Sequence, residues 1–498
     1  MLTRFKVTGF KNLVETEVRF GPFTCIAGYN GVGKSNLFDA IRFLALLADH
    51  SFVEAAGEIR GGEDPARLFT AGGTGLMTFE CDLIVPKRGK DDFHQSAEAS
   101  HTFLTYRLEL ELMREAAQER IELRREELKY VPFGEARRRL GFRPSKEWLN
   151  SAIVKSKRTS AYIDTRDEGR GRLIRLSADK MRDDLKSKRG GGRPTDFLAS
   201  TLPRTVLSAA NHAEEARTAV LVRTEMRSWR LLQLEPSSLR VSDEFHAPSS
   251  LTAEGQHLPA TLHRLASGPD GDRVLAEISN RLAQLVDGVR DVRVVRDDTR
   301  RALQLVLTDT TGQEFPAAAL SDGTLRFIAL SVLEQDPEAT GVFCLEEPEN
   351  GIHPERMGVM VKLLKEMVTD HGEPIGDGNR LQQVIISTHS PVVVAQTDPE
   401  DLLFADHRDP PGMRAGSQRA LVLRPCQDTW RINSETTKTA VSKGTLIDYL
   451  GSIAPEQDCI DDHRQPNTEP PQASIGNRRP RTAFEIVQLD LPFVGAKP

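Results

Sequence analysis

Residues 28–36 read GYNGVGKSN and directly follow the apolar run FTCIA at 23–27. Three glycines, a lysine and a serine at this spacing fit G-x-x-x-x-G-K-[ST], a loop whose backbone N–H groups turn inward around phosphate oxygens. Gly28, Gly31 and Gly33 allow the tight turn, and the helix expected next aims its positive end at the same point. Lys34 then reaches the β- and γ-phosphates of a nucleotide, and Ser35 ligates its magnesium ion. Asn30 and Asn36 complete the loop residues assigned to the nucleotide.

Three later stretches carry matching chemistry. In GVFCLEEPENGIHPE (341–355) the apolar strand Val342 to Leu345 delivers two carboxylates at its end. Glu346 is expected in the magnesium shell and Glu347 to polarise an attacking water as general base. In AALSDGTLRFIAL (318–330) Ser321 caps a helix. Its hydroxyl and the N–H of Gly323 offer a second phosphate contact. In QQVIISTHSPVVV (382–394) an apolar strand ends at Thr388-His389-Ser390, and His389 reads as a sensor of the γ-phosphate.

These motifs need a scaffold that brings strand ends together. SNLFDAIRFLALLAD repeats its apolar residues at helical spacing, so a helix should leave the glycine loop. LMTFECDLIV, TFLTYRLELEL and RIELRREELKYV alternate as an antiparallel meander. Helical patterns fill 257–287, two strands follow, and strand–helix alternation after about 315 predicts a parallel sheet. The divisions expected are 1–134 and 257–450 as two parts of one head, 135–256 as an inserted basic, mostly helical lobe, and 451–498 as a flexible tail ending in the apolar strand AFEIVQLDLPFV.

Bulk composition narrows the class. The chain has 498 residues, 39% hydrophobic and 28% charged, a globular balance rather than a disordered one. No apolar run is long enough to cross a bilayer, and no signal-peptide core opens the chain, which points to the cytoplasm and no membrane partner. The five cysteines lack a CxxC pair and fit a reducing compartment. Net charge is −6, yet residues 137–193 hold 18 Lys and Arg against 7 Asp and Glu. That excess suggests an anionic partner such as DNA, with Phe142, Trp148 and Tyr162 placed to stack on bases.

Taken together, the motifs resemble the ATP-binding-cassette (ABC) class of ATPases. GYNGVGKS corresponds to Walker A, LSDGT to the signature, VFCLEEPE to Walker B, ENGIHP to the D-loop and His389 to the switch histidine. The opening strand pair with GFKNL resembles the RecF, OLD and SMC branch, in which such residues lie near the adenine. Phe10, Lys11 and Asn12 inherit that role. Nearly 290 residues separate Lys34 from Ser321 without the long coiled coil of SMC proteins. The fold implied is therefore α/β, a P-loop NTPase with an ABC-type head of mixed antiparallel and parallel sheets and an inserted, mainly helical lobe.

The resemblance implies ATP and Mg2+ as cofactors, ATP hydrolysis, and a homodimer or dimer-based oligomer. In it, Ser321 of one copy faces the phosphates held by Lys34 of the other. The role implied is in nucleic-acid transactions such as DNA repair or phage defence. An ATP-dependent sensor that controls a separate effector protein is the alternative, and a transport cassette fits poorly. Three features depart from the family pattern. Glu346 replaces the usual aspartate. No glutamine occurs between Ser35 and Gln95, where the Q-loop residue is expected, leaving Arg60 or Arg67 as substitutes. No D-x-D pair follows His389, so the metal-binding pattern of a Toprim nuclease is missing.

Overall fold

The structure is a computed structural model and describes residues 1–115, 118–168, 171–179, 194–409, 419–432 and 440–441. Strands β1 (Leu2–Thr8) and β2 (Thr16–Arg19) form the opening hairpin. β3 (Phe23–Gly28) is buried at all six positions and leads through the glycine loop into helix α1 (Lys34–Leu46). Short α2 (Phe52–Gly57) precedes β4 (Leu76–Ile84), and the small hairpin β5 (Arg88–Lys90) and β6 (Ser96–Glu98) precedes the long strands β7 (Phe103–Glu115) and β8 (Gln118–Tyr130). Next come α3 (Phe133–Leu140), α4 (Lys146–Ala152), β9 (Ile163–Glu168), β10 (Gly171–Leu176) and β11 (Thr195–Leu198).

Helix α5 (Ala213–Arg227) runs to β12 (Arg230–Leu232), α6 (Pro236–Leu239) and β13 (Asp243–Glu244). Helices α7 (Leu258–Ala266) and α8 (Gly271–Leu285) fill the expected helical stretch. β14 (Val289–Asp297), β15 (Ala302–Asp309) and β16 (Glu314–Pro316) pair antiparallel before α9 (Asp322–Gln335). The last part alternates β17 (Gly341–Glu346), α10 (Met357–Glu366), β18 (Gln382–Thr388), α11 (Pro391–Gln396) and β19 (Leu402–Arg408), and β20 (Ala420–Pro425) closes it.

Two large sheets organise these elements. An eight-stranded sheet runs β11-β10-β9-β8-β7-β4-β1-β2, and the expected meander is its centre. A six-stranded sheet runs β12-β17-β18-β3-β19-β20, parallel except for the last pair. Strands covered on both faces must be apolar almost throughout, and VFCL and VII are. The hydrophobic core between the sheets includes Phe38 and the trio Phe10, Phe43 and Phe79, whose ring centroids are about 6 Å apart.

The lobe expected over 135–256 is not a separate body. Residues 1–442 form one compact unit, and 443–498 lie outside the described residues, as do Lys186, Lys188 and Arg189. β9, β10 and β11 extend the eight-stranded sheet from β8, β12 joins the six-stranded sheet, and α5 packs on α1. The cause is that exposed strand edges seek partners, and the alternation at 163–176 offers one. Helices and strands therefore share the described part of this region.

The aromatics expected to stack on bases are also elsewhere. Phe142 and Trp148 belong to a second core with Met1, Phe103, Leu381 and Trp430, and Tyr162 is buried with its hydroxyl 2.7 Å from His101 Nδ1. This core fixes α3 and α4 beside the amino ends of β18 and β3. The Ser145 N–H donates to the His371 carbonyl at 2.8 Å, and the Ile375 N–H donates to Ser151 Oγ at 2.8 Å. Trp148→Ala empties a fully buried site and is expected to cost about 3–5 kcal/mol in chemical denaturation. Trp148→Phe should cost clearly less, because the indole N–H makes no hydrogen bond among the described residues.

Candidate nucleotide-binding site

The parallel strands of the six-stranded sheet end at one edge, and each delivers a functional group there. β3 ends at Gly28 and feeds the glycine loop, β17 ends at Glu346, β18 at Thr388 just before His389, and β12 at Leu232 just before Gln233. Register holds these ends level: Leu232 pairs with Leu345, Glu346 with Ser387 and Thr388 with Ala27. A crevice outside the carboxyl ends of parallel strands is where α/β folds bind ligands. Here it is a cleft of about 480 Å3 lined by Asn30, Gly31, Gly33, Lys34, Ser35, Asn36, Gln233, Glu235, Glu346, Glu347, Asn350 and Ser387.

The loop is built by close approach. A β-carbon on Gly28 would stand 2.6 Å from the Ala405 carbonyl, and one on Gly33 would stand 2.3 Å from Asn12 Nδ2. Gly33 also has φ +113°, a backbone state that disfavours side chains. Lys34 is buried and folds its ammonium back onto the Gly28 and Tyr29 carbonyls at 2.6 and 2.9 Å. That burial pulls its pKa below the usual lysine value. Asn12, assigned above to the nucleotide, sits behind the loop instead. Its amide nitrogen donates to the Val32 carbonyl at 3.0 Å, and its oxygen accepts from Asn36 at 2.8 Å. Phe10 is likewise committed to the core, and Lys11 pairs with Asp39 at 2.7 Å, so the opening hairpin braces the site from outside the cleft.

Glu347 occupies the left-handed region at φ +48°, which turns its carboxylate toward His389. Glu347 Oε1 lies 2.7 Å from His389 Nδ1, and Asn350 Nδ2 donates to Oε2 at 3.0 Å. Burial works against the charge on Glu347, but these two partners outweigh it and hold the carboxyl below the usual glutamate range. The carboxylate is thus ionised and oriented, as a general base must be. Glu349 has the opposite fate. It is buried against the Thr388 hydroxyl, and burial pushes its carboxyl up.

Ser35 and Glu346 present a hydroxyl and a carboxylate, hard oxygen donors suited to magnesium. Among the described residues no cluster of three His, Cys, Asp or Glu could hold a metal by itself, so phosphate oxygens would complete the shell. The position already attracts a cation, because the Arg60 guanidinium lies against Glu346 and the Ser35 carbonyl. Of the two substitutes considered for the Q-loop glutamine, Arg60 reaches the site, whereas Arg67 is exposed beside Asp64. The glutamine in the cleft is Gln233, at the end of the strand beside β17. The sequence signal was RLLQLEP, a short apolar run ending in Gln before Pro, displaced far down the chain by the intervening strands.

Ser321 caps α9, its hydroxyl accepting from the Thr324 N–H at 3.2 Å. Gly323 packs on the D-loop so tightly that a β-carbon would stand 2.1 Å from the Gly351 carbonyl. Neither residue lines the Lys34 cleft of its own chain. Arg326, one turn along α9, donates to the Leu234 carbonyl at 3.2 Å and the Asn350 carbonyl at 2.8 Å.

This fold and site define a P-loop NTPase head of the ABC type. The chain belongs to the family described as "AAA domain, putative AbiEii toxin, Type IV TA system", whose model matches residues 130–395, more than half of the chain. It is also similar to the DNA replication and repair protein RecF. In Lactobacillus delbrueckii subsp. bulgaricus the identity is 37% over 92 residues, 18% of this chain and 24% of that protein. In Porphyromonas gingivalis it is 35% over 69 residues, 14% and 19%. The match spans about a quarter or less of the length of these relatives. Among solved structures, an SMC head bound to the C-terminal winged-helix domain of ScpA covers 85% of this chain and 98% of its own, at 13% identity and TM-score 0.42. The SMC head domain from Thermotoga maritima covers 86% and 99%, at 12% identity and TM-score 0.35.

Gly33 and Gly31 give a paired test of the loop. Gly33→Ala forces a clash with Asn12, whereas a β-carbon at Gly31 meets nothing within 4 Å and strains only the φ of +79°. Titration with a fluorescent ATP analogue should show Gly33→Ala weaker by roughly tenfold or more, and Gly31→Ala weaker by less. Equal binding by Gly33→Ala and wild type would rule out this loop as the phosphate cradle.

Proposed function

We propose that this protein binds and hydrolyses ATP with Mg2+, and that ATP-driven dimerisation of the head serves a DNA transaction such as repair or phage defence. The observation that carries the reading is the meeting of Lys34, Ser35, Gln233, Glu346 and Glu347 in one cleft, with His389 against Glu347. Gly31, Gly33, Asn30 and Asn36 frame the phosphates, and Lys34 exchanges its loop carbonyls for phosphate oxygens. Ser35 and Glu346 would hold the magnesium ion, which would supply neutralisation of phosphate charge. Glu347 takes a proton from the attacking water, His389 orients Glu347 and reads the γ-phosphate, and Gln233 takes the Q-loop place. Ser321 and Gly323 act on the nucleotide of a second copy, since they stand apart from their own cleft. No helix of the described residues is long and apolar enough to cross a membrane, and the reading is a cytoplasmic one.

The decisive variant is Glu347→Gln, which keeps shape and removes the base. Turnover should fall about 10²–10⁴-fold. Light scattering should show a monomer without nucleotide and a stable dimer with ATP and Mg2+. Unchanged turnover would take Glu347 out of the role, and a size indifferent to ATP would remove the sandwich.

The DNA side rests on exposed cations of α3, α4 and the residues after them. Residues 133–157 hold seven Lys and Arg against two Asp and Glu, and the buried aromatics beneath leave the charges outside. Arg137, Arg143, Lys146 and Lys157 are exposed, and among the described residues the ion pairs here involve Arg138 with Glu135, and Arg139 with Glu135 and Asp82, instead. Charge reversal at these four positions should weaken duplex DNA binding and flatten its dependence on salt, since each lost phosphate contact removes about one unit of slope. Binding unaffected by all four reversals would move the DNA site elsewhere.

A further inference from the structure

Both oxygens of Glu346 are already engaged. Arg60 Nη2 lies 2.9 Å from Oε1 and Nη1 lies 3.1 Å from Oε2, the two-pronged fork in which a guanidinium grips a carboxylate best. The same Nη2 donates to the Ser35 carbonyl at 3.2 Å. Asp39, in the middle of α1 and only 2% exposed, holds the fork from behind, with Arg60 Nε 3.0 Å from its Oδ1. Lys11 completes the arrangement, its ammonium 2.7 Å from Asp39 Oδ2 and 2.8 Å from the Arg60 carbonyl. Arg60 is therefore fixed by backbone and side chain in front of the two residues assigned to magnesium. A metal ion on the same carboxylate oxygens would stand against the positive guanidinium, so the fork and the metal compete for Glu346.

We infer that Arg60 is a placeholder for the divalent cation, with Asp39 as the residue that positions it. In the nucleotide-free chain Arg60 neutralises Glu346 and keeps free divalent cations out. Glu346 becomes available only when the fork opens, so metal loads together with nucleotide rather than ahead of it. This inference rests on Ser35 and Glu346 being the metal ligands of the proposed ATP site.

The test is a titration of Mn2+ alone into the nucleotide-free full chain, followed by loss of the free-ion electron paramagnetic resonance signal. Wild type should bind Mn2+ weakest. Arg60→Ala should tighten binding by roughly fivefold, the worth of a good partly exposed ion pair. Arg60→Lys, which keeps the charge without the fork, and Asp39→Asn, which loosens the fork, should fall between. Adding Glu346→Gln to Arg60→Ala should abolish the gain. Arg60→Ala binding Mn2+ no better than wild type overturns the inference, as does a gain that survives Glu346→Gln. A fluorescent ATP analogue titrated in chelator separates the underlying reading. If wild type fails to bind it with or without Mg2+, the ATP site itself falls, whatever Mn2+ does.

Discussion

The site depends on one constraint, the register of four parallel strands. β12, β17, β18 and β3 must end level for Gln233, Glu346, Thr388 and the glycine loop to border the same cleft. A slip of one residue in β17 would turn Glu346 from one face of the sheet to the other. The near-continuous burial of β3, β17 and β18 prevents it, because every alternative register leaves apolar side chains without partners. The eight-stranded sheet then serves as a wall. Phe5 of β1 and Phe10 just beyond it share one core with Phe43 of α1, which holds the helix that follows the glycine loop.

Charge is the second organising force. Three glutamates lie within four residues from the last position of β17 onward, and without neighbours their mutual repulsion would splay the turn. Each is settled differently. Glu346 takes a guanidinium, Glu347 an imidazole and an amide, and Glu349 a hydroxyl in the interior. Three different partners allow one carboxylate to stay ionised and aimed, while its neighbour two residues on is pressed toward neutrality.

The candidate site is legible in the sequence where polar residues follow the ends of apolar strands. GYNGVGKS, the glutamate pair and the Thr388-His389 end all stand where the motifs placed them, because short apolar runs followed by polar residues encode the carboxyl edge of a parallel sheet directly. Contacts between segments distant in sequence were not legible. Gln233 follows a strand of three residues, too short for periodicity, that becomes a strand only by pairing with β17. Arg60 lies in a glycine-rich loop whose position is set by Asp39 and Lys11. The inserted lobe was misread because its alternating segments looked independent, when the free edge of β8 was their missing partner. The aromatic residues 142, 148 and 162 were taken for a surface because they sit among arginines, but their bulk is worth more in a core than on a face.

Arg326 has a thermodynamic meaning that its two hydrogen bonds do not show at first. One side chain on the signature helix grips the carbonyl beside Gln233 and the carbonyl of Asn350, whose amide steadies Glu347. A shift of α9 therefore strains both ends of the Lys34 cleft at once. By linkage, whatever free energy occupancy of that cleft spends on α9 is returned in equal measure when α9 is engaged from outside. The two faces of the head thus share a single coupling energy.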